Sequence, residues 1–285
     1  MKKPIFATDR CQLFEGISRE VWNRIILAHD IKVDLPEIGI TSDIIVEILQ
    51  FSKYHLANFD VYAKTGWNEN VYGADIEIFI ETNVNEYIMF GLQAKVLKKN
   101  NRYDTLRDSS DGIMQWDKLI LLEAVSGCKS YYLLYNGRNG YNRNLLDQCR
   151  NSYTEEQLGC SLVEPNYIKT FATKKSSSGR YINPTFEDIH PTYAQPWRIL
   201  TCCLHDRTKF KIYSMEEIVK SNPNLKRIKY EFDENESEEY KDESEDASNN
   251  DSNIPYVEGN NLNTAFREAK WDADLRIIVS RTVKY

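Results

Sequence analysis

The chain runs to 285 residues, and a hydrophobic content of 41% supplies ample material for a buried core in one large domain or two modest ones. No uninterrupted apolar run approaches the ~18 residues a membrane helix needs, and the basic start "MKKPIFATDRCQLFEGISREVW" lacks the apolar stretch of a signal peptide, so a soluble, cytoplasmic protein with no membrane partner is expected. The formal charge of −7 argues against a nucleic-acid partner only until its placement is considered: residues 231–258 hold twelve Asp or Glu and one Lys, or −11, which leaves the remainder at +4.

Ser18 is placed to cap a first helix, "ISREVWNRIILAHD", in which Val21, Trp22, Ile25 and Ile26 have helical spacing. Thr41 or Ser42 can cap a second, "SDIIVEILQFSKYHLANF", with Ile44, Ile45, Ile48 and Leu49 as its apolar stripe and with Asp43 and Glu47, four apart, on one face. "FDVYAKTGW" reads as a short strand and turn. The stretch 72–97 then reads as a β-hairpin closed by "TNVNE". In "GADIEIFIE" the even positions Ile76, Ile78 and Ile80 alternate with Asp75, Glu77 and Phe79, and in "YIMFGLQAKVL" the even positions are again apolar while Gln93 and Lys95 are odd. That register sets Glu81 opposite Tyr87, Asp75 opposite Gln93 and Gly73 opposite Lys95, so the polar groups share a face. A helix ending at Gly127 ("GIMQWDKLILLEAVSG") and a strand ("YYLLYNG") follow, an order that predicts an α/β fold with a mixed sheet packed by helices. Beyond residue 137 the pattern weakens, with elements expected in "LGCSLV", "PWRILTCCL" and "KFKIYSMEEIVK" and a good strand in "LRIIVSRTV". The acidic run is read as a flexible loop, solvated or, more sharply, folded over a basic groove.

Hydrolysis of a phosphodiester needs a divalent cation to polarise the phosphate and activate water, and hard oxygen ligands hold such a cation. Asp75 can supply a carboxylate and Gln93 a carboxamide oxygen, while Lys95, two residues on, points to the same face and can orient water or stabilise developing charge. The alternative is that Asp75, Glu77, Gln93 and Lys95 form the solvated face of an amphipathic hairpin. Gly73 and Gly91 lean toward function, because a glycine in a strand marks close backbone approach.

On these residues the sequence resembles the PD-(D/E)XK, or restriction-endonuclease-like, nuclease superfamily: "GAD" at 73–75, "QAK" at 93–95, and a matching order of elements from about 41 to 136. The Gln form of the tripeptide looks like Mrr-type restriction enzymes and bacterial anti-phage effector nucleases, and "GAD…QAK…QWDKL…YYLLYN" is similar to an uncharacterised bacterial family placed in that superfamily. The resemblance implies a restriction-endonuclease-like core using Mg2+ or Mn2+, with Asp75, Gln93 and Lys95 as the catalytic set, Glu47 or Glu37 as the helix acid and Glu77 as an additional metal ligand. Gln115, on the helix after the tripeptide, is a candidate for contact with substrate or with the lysine.

Lys98, Lys99, Arg102 and Arg107 follow the tripeptide, and Lys174, Lys175 and Arg180 lie on a Ser/Gly-rich loop; both groups are candidate phosphate contacts, the former favoured by its place and the latter read in preference as ordinary surface charge. Cys202, Cys203 and His205, with Cys160 and His190, have poor spacing for zinc and read as buried apolar material. All six cysteines are taken as reduced, and there is no nucleotide phosphate loop or HExxH motif. The expected division is an N-terminal helical extension (1–34), a nuclease core (35–140), a mixed α/β addition (141–230), the acidic loop (231–258) and a C-terminal helix and strand (259–285) packing back on the body. The expected function is a metal-dependent endonuclease of restriction or anti-phage defence, on DNA in preference to RNA, compatible with a homodimer or a defence-system partner protein. The alternative is a catalytically silent module of the same fold that binds nucleic acid or a partner.

Overall fold

The computed structural model describes residues 6–54, 61–63, 73–83, 86–110, 112–147, 152–202, 210–220, 226–228 and 275–279. Helix α1 (Phe6–Asp30) buries Phe14, Ile17, Val21 and Ile25, each no more than 1% exposed and spaced to line one face. Each such burial contributes roughly 1.5–3 kcal/mol. Ser18, expected as the N-cap, lies mid-helix. The stripe continues backward through Phe14, whose ring packs 4.2 Å from Trp197, and that burial outweighs a local capping preference.

Helix α2 (Glu37–Tyr54) also starts earlier than its capping residues suggest. Pro36 precedes it, and the Ile40 N–H closes on the Pro36 carbonyl at 3.3 Å. Ser42 instead donates back to the Ile38 carbonyl at 2.7 Å, and Thr41 lies 2.8 Å from the Tyr135 hydroxyl. The earlier start makes Glu37 the first helical residue, where a carboxylate suits the helix dipole.

The main sheet has nine strands among the described residues: β1 (Val61–Ala63), β2 (Ile76–Asn83), β3 (Glu86–Val96), β4 (Lys129–Tyr135), β5 (Cys160–Val163), β6 (Ala194–Pro196), β7 (Ile212–Tyr213), β8 (Lys226–Ile228) and β9 (Leu275–Val279). The order is β6-β5-β4-β3-β2-β9-β1-β8, with β7 pairing the start of β3. Strands β2 and β3 pair antiparallel with Glu81 opposite Tyr87 and Ile76 opposite Leu92, the register read from the sequence. β4 runs parallel to β3, placing Tyr132 beside Gln93 and Leu134 beside Lys95. Helix α3 (Gln115–Ser126) crosses between them and ends on Gly127 in the left-handed region, as expected.

The even-numbered side chains of β2 and β3, with Leu133 and Tyr135 of β4, face α1 and α2. The odd-numbered side chains, with Tyr132 and Leu134, face α3, α4 (Pro165–Ala172) and α5 (Phe186–Ile189). The fold is therefore mixed α/β, a sheet covered by helices on both sides. The expected domain boundaries do not coincide with breaks in this packing. α1 shares a sheet face with α2, β5 and β6 extend the sheet, and β9 lies between β2, to which it is parallel, and β1. The acidic run 231–258 and the expected helix before β9 lie outside the described residues.

Candidate active site

Strand β3 is buried from Tyr87 to Val96, including Gln93 (1% exposed) and Lys95 (3%). Asp75 and Glu77 are half-buried, but Gln93 and Lys95 are withdrawn from water, so the hairpin's polar face is not the solvated one of the amphipathic alternative at these two residues. An ammonium taken out of water costs several kcal/mol unless compensated, so its partners must be found inside the protein. The Lys95 Nζ lies 3.3 Å from Asp108 Oδ2 and 3.6 Å from Glu37 Oε2. Glu37 reaches it from the first residue of α2; Asp108 comes from the loop between β3 and α3.

Asp75, just before β2, continues the pairing: its N–H donates to the Leu92 carbonyl at 2.8 Å, which holds it opposite Gln93. One carboxylate oxygen accepts from the Ala94 N–H at 2.7 Å and from the Gln93 amide Nε2. The other end of that amide, Gln93 Oε1, is buried and without a hydrogen-bond partner among the described residues. Two more buried oxygens, on residues of the neighbouring strand and of α3, share that condition. The Tyr132 hydroxyl belongs to the residue beside Gln93 in the β3–β4 ladder. Burial pushes its pKa up, and the charges of Asp75 and Asp108 add to the effect, so it stays a neutral donor. The third is Gln115 Oε1, whose backbone N–H donates to the Asp108 carbonyl at 3.2 Å. Buried polar groups are almost always satisfied, and among the described residues others besides these three also lack a partner; what singles out Gln93 Oε1 is its place opposite a carboxylate and beside a buried ammonium.

The remaining candidates are placed as follows. Glu47 is ten residues from Glu37, about 15 Å along the helix, so both cannot serve one ion. It sits in a separate cluster, 3.8 Å from Arg24, where burial, with the charge of Glu20, pushes it up to about 7. Glu77 is about 7 Å along the strand from Asp75. Its charge is instead felt at Cys128 and Tyr213, whose pKa values rise mainly through burial. The two glycines are explained by α3. A Cβ on Gly91 would lie 2.6 Å from Leu122 Cδ2, and one on Gly73 (φ +67°) would lie 3.0 Å from Lys118 Cβ and 3.2 Å from the Gln115 carbonyl. Close approach there is by a helix of the protein itself, and it seats Gln115 and Asp108 over the hairpin.

Three of the candidate phosphate contacts are tied down, among them Arg107, which donates to the Ala172 carbonyl at 3.4 Å. Lys99 pairs with Asp34 at 3.5 Å, and Arg102 donates to the Asn183 carbonyl. The Lys98 backbone closes a turn with Arg102 and Asn101. His190 lies 2.7 Å from Ser161 Oγ and 3.1 Å from the Phe186 carbonyl in a fully buried network, where desolvation lowers it to about 3. Cys203 and His205 lie outside the described residues. Cys11 is disulfide-bonded, contrary to the expectation of reduced thiols throughout, whereas Cys128 and Cys160 are free and buried. Among the described residues no three His, Cys, Asp or Glu side chains are placed together to hold a metal ion, so an oxygen site here depends on the Gln93 amide.

Asp108 and Tyr132 were not signalled by the sequence. Asp108 lies 13 residues beyond Lys95 in a loop without a motif, and Tyr132 looks like any aromatic of an apolar strand; only strand order could have placed it beside Gln93. Among the described residues no helix is long and apolar enough to cross a membrane. No curated protein and no solved structure matches the chain. One family model does, described as "Family of unknown function (DUF6615)", over residues 10–284. That match spans nearly the whole sequence, and the chain therefore belongs to the DUF6615 family.

Proposed function

We propose that this protein is a metal-dependent nuclease that hydrolyses phosphodiester bonds of DNA. The observation that carries the reading is the buried Gln93 Oε1, without a hydrogen-bond partner among the described residues, two residues from a buried ammonium and directly opposite the Asp75 carboxylate. A purely structural hairpin gains nothing from burying these groups, since an apolar trio would be cheaper.

The donor set suits Mg2+ or Mn2+: hard oxygens and few carboxylates, leaving positions for water and phosphate. Asp75 and Gln93 Oε1 would hold the ion, with Glu37 as the helix acid. Bound there, the cation would polarise the phosphate and lower the pKa of the attacking water. In the structure the Gln93 Nε2 faces Asp75, where an amide proton stands in for a cation; a half-turn of the carboxamide exchanges nitrogen for oxygen. Lys95, held by Glu37 and Asp108, orients the water and offsets charge gathering on the phosphate as the water oxygen bonds to phosphorus and the ester oxygen leaves. The neutral Tyr132 hydroxyl and the Gln115 carboxamide, both buried and without a hydrogen-bond partner among the described residues, are the groups we assign to positioning substrate or water.

The reading is tested by incubating the purified protein with DNA in Mg2+ or Mn2+, beside Lys95→Ala and Asp75→Ala. Cleavage by the wild type and its loss by about 10²-fold or more in each variant, with fold and DNA binding retained, is expected. Intact DNA in every lane with manganese present sinks it.

A further inference from the structure

Residues 171–182 carry three basic side chains and no acid, and the sequence favours ordinary surface charge there over contact with phosphate. In the structure they form an ordered hairpin. Lys175 and Tyr181 are antiparallel bridge partners, the Ile182 N–H donates to the Lys174 carbonyl at 3.0 Å, and the Ser176 N–H donates to the Arg180 carbonyl at 2.8 Å. The hairpin presents Tyr181 with 53% of its surface exposed. Two cations lie on that ring: Lys175 Nζ at 4.9 Å from its centroid and Arg107 Cζ at 5.2 Å. Arg107 belongs to the other basic segment, the loop after Lys95, so two stretches about seventy residues apart in sequence converge on one aromatic ring.

Arg107 is adjacent in the chain to Asp108, whose carboxylate contacts Lys95. Adding the reach of an arginine side chain places the Tyr181 ring within about 20 Å of the Lys95 ammonium. A strand rising about 3.4 Å per nucleotide covers that distance in about six nucleotides, and an extended strand covers it in fewer. A half-exposed ring with two cations over it joins an aromatic surface, on which an unstacked base settles beside or in place of a cation, to two counter-charges for the neighbouring phosphates. A duplex, whose bases are stacked on each other, could use only the charges.

We propose that Tyr181, Arg107 and Lys175 form a stacking platform for a single-stranded segment of the polynucleotide, a few nucleotides from the bond that is cut. The proposal rests on the nuclease reading for its role but not for its test. Binding of a fluorescent single-stranded oligonucleotide, as DNA and as RNA, is measured by anisotropy in EDTA, so that no cleavage enters. Tyr181→Ala weakens binding about ten- to a hundredfold, while Tyr181→Phe, which keeps the ring, stays within about twofold of wild type. Lys175→Glu, on the exposed hairpin, also weakens binding, and it lowers the salt dependence by about 0.7 or more in log–log slope. The tighter of the two oligonucleotides identifies the sugar. Wild-type affinity in Tyr181→Ala, no binding by the wild type, or a duplex that a single strand cannot displace each overturns the platform. Tight binding lost in Tyr181→Ala, without cleavage in manganese, keeps the platform and removes the nuclease reading.

Discussion

Substituting the two ends of the Lys95–Glu37 pair separately should give unequal losses of stability. Lys95 is almost wholly buried, whereas the side chains of Glu37 and Asp108 are 24% and 50% exposed. At an effective dielectric near 20, either contact corresponds to about 4 kcal/mol of attraction before desolvation is counted, and water screens Asp108 far more than Glu37. Glu37→Gln keeps the shape but leaves a buried ammonium with one well-screened partner. The cost should be about 2 kcal/mol, below the 3–5 kcal/mol of a fully buried pair because Asp108 remains. Lys95→Met removes the buried ion itself and leaves two carboxylates that can turn to water, so its cost should stay within about 1 kcal/mol. Urea unfolding followed by tryptophan fluorescence, with m-values checked for constancy, gives both numbers. If Lys95→Met proves as destabilising as Glu37→Gln, the ammonium is not held as a desolvated charge between carboxylates, and the account of the site is wrong.

Other expectations follow from single residues. Gln93→Glu should retain Mg2+-dependent cleavage within about tenfold, since a carboxylate is also a hard ligand, yet lower stability in EDTA by about 1 kcal/mol through repulsion with Asp75; unchanged stability in EDTA would contradict the stated contact. Two buried groups pull stability in opposite directions on acidification. His190, depressed in the folded state, contributes stability present above its unfolded pKa of about 6.5 and lost as pH falls toward 3. Glu47, raised to about 7, contributes stability present below its unfolded pKa of about 4.5 and lost as pH rises through 7. Glu47→Gln should therefore steepen the loss of Tm between pH 6.5 and 4.5. A parallel profile for the variant would count against the cluster. Gly91→Ala should cost about 1–2 kcal/mol by driving a methyl into Leu122, read as a drop in Tm, whereas a neutral result would mean that α3 does not approach the hairpin so closely.

Much of the hairpin is legible in the sequence, because period-2 alternation and a short closing turn leave few registers. Glu81 opposite Tyr87 fixed the relation of Asp75 to Gln93. The helix acid was harder. Thr41 and Ser42 are better capping residues than Pro36, and a helix capped by either begins at least five residues after Glu37, its true first residue. Burial was not legible either, since an amphipathic strand and a strand covered by helices on both sides share one alternation when the second face carries function. The distinction came from α3, whose packing on Gly91 requires a chain reversal through the loop that brings Asp108 to Lys95. Tyr132 and β9 depended on strand order, which long-range pairing decides and local pattern does not record. The meeting of Arg107 and Lys175 on Tyr181 is a tertiary coincidence of the same kind.

Diffraction from crystals soaked in manganese, at a wavelength where the ion scatters anomalously, locates the cation most directly. The expected result is a peak within coordination distance of an Asp75 carboxylate oxygen and of the Gln93 carboxamide, with the amide turned so that its oxygen faces the ion. Crystals with manganese bound elsewhere, or with the Gln93 nitrogen still donating to Asp75 at saturating manganese, would contradict it.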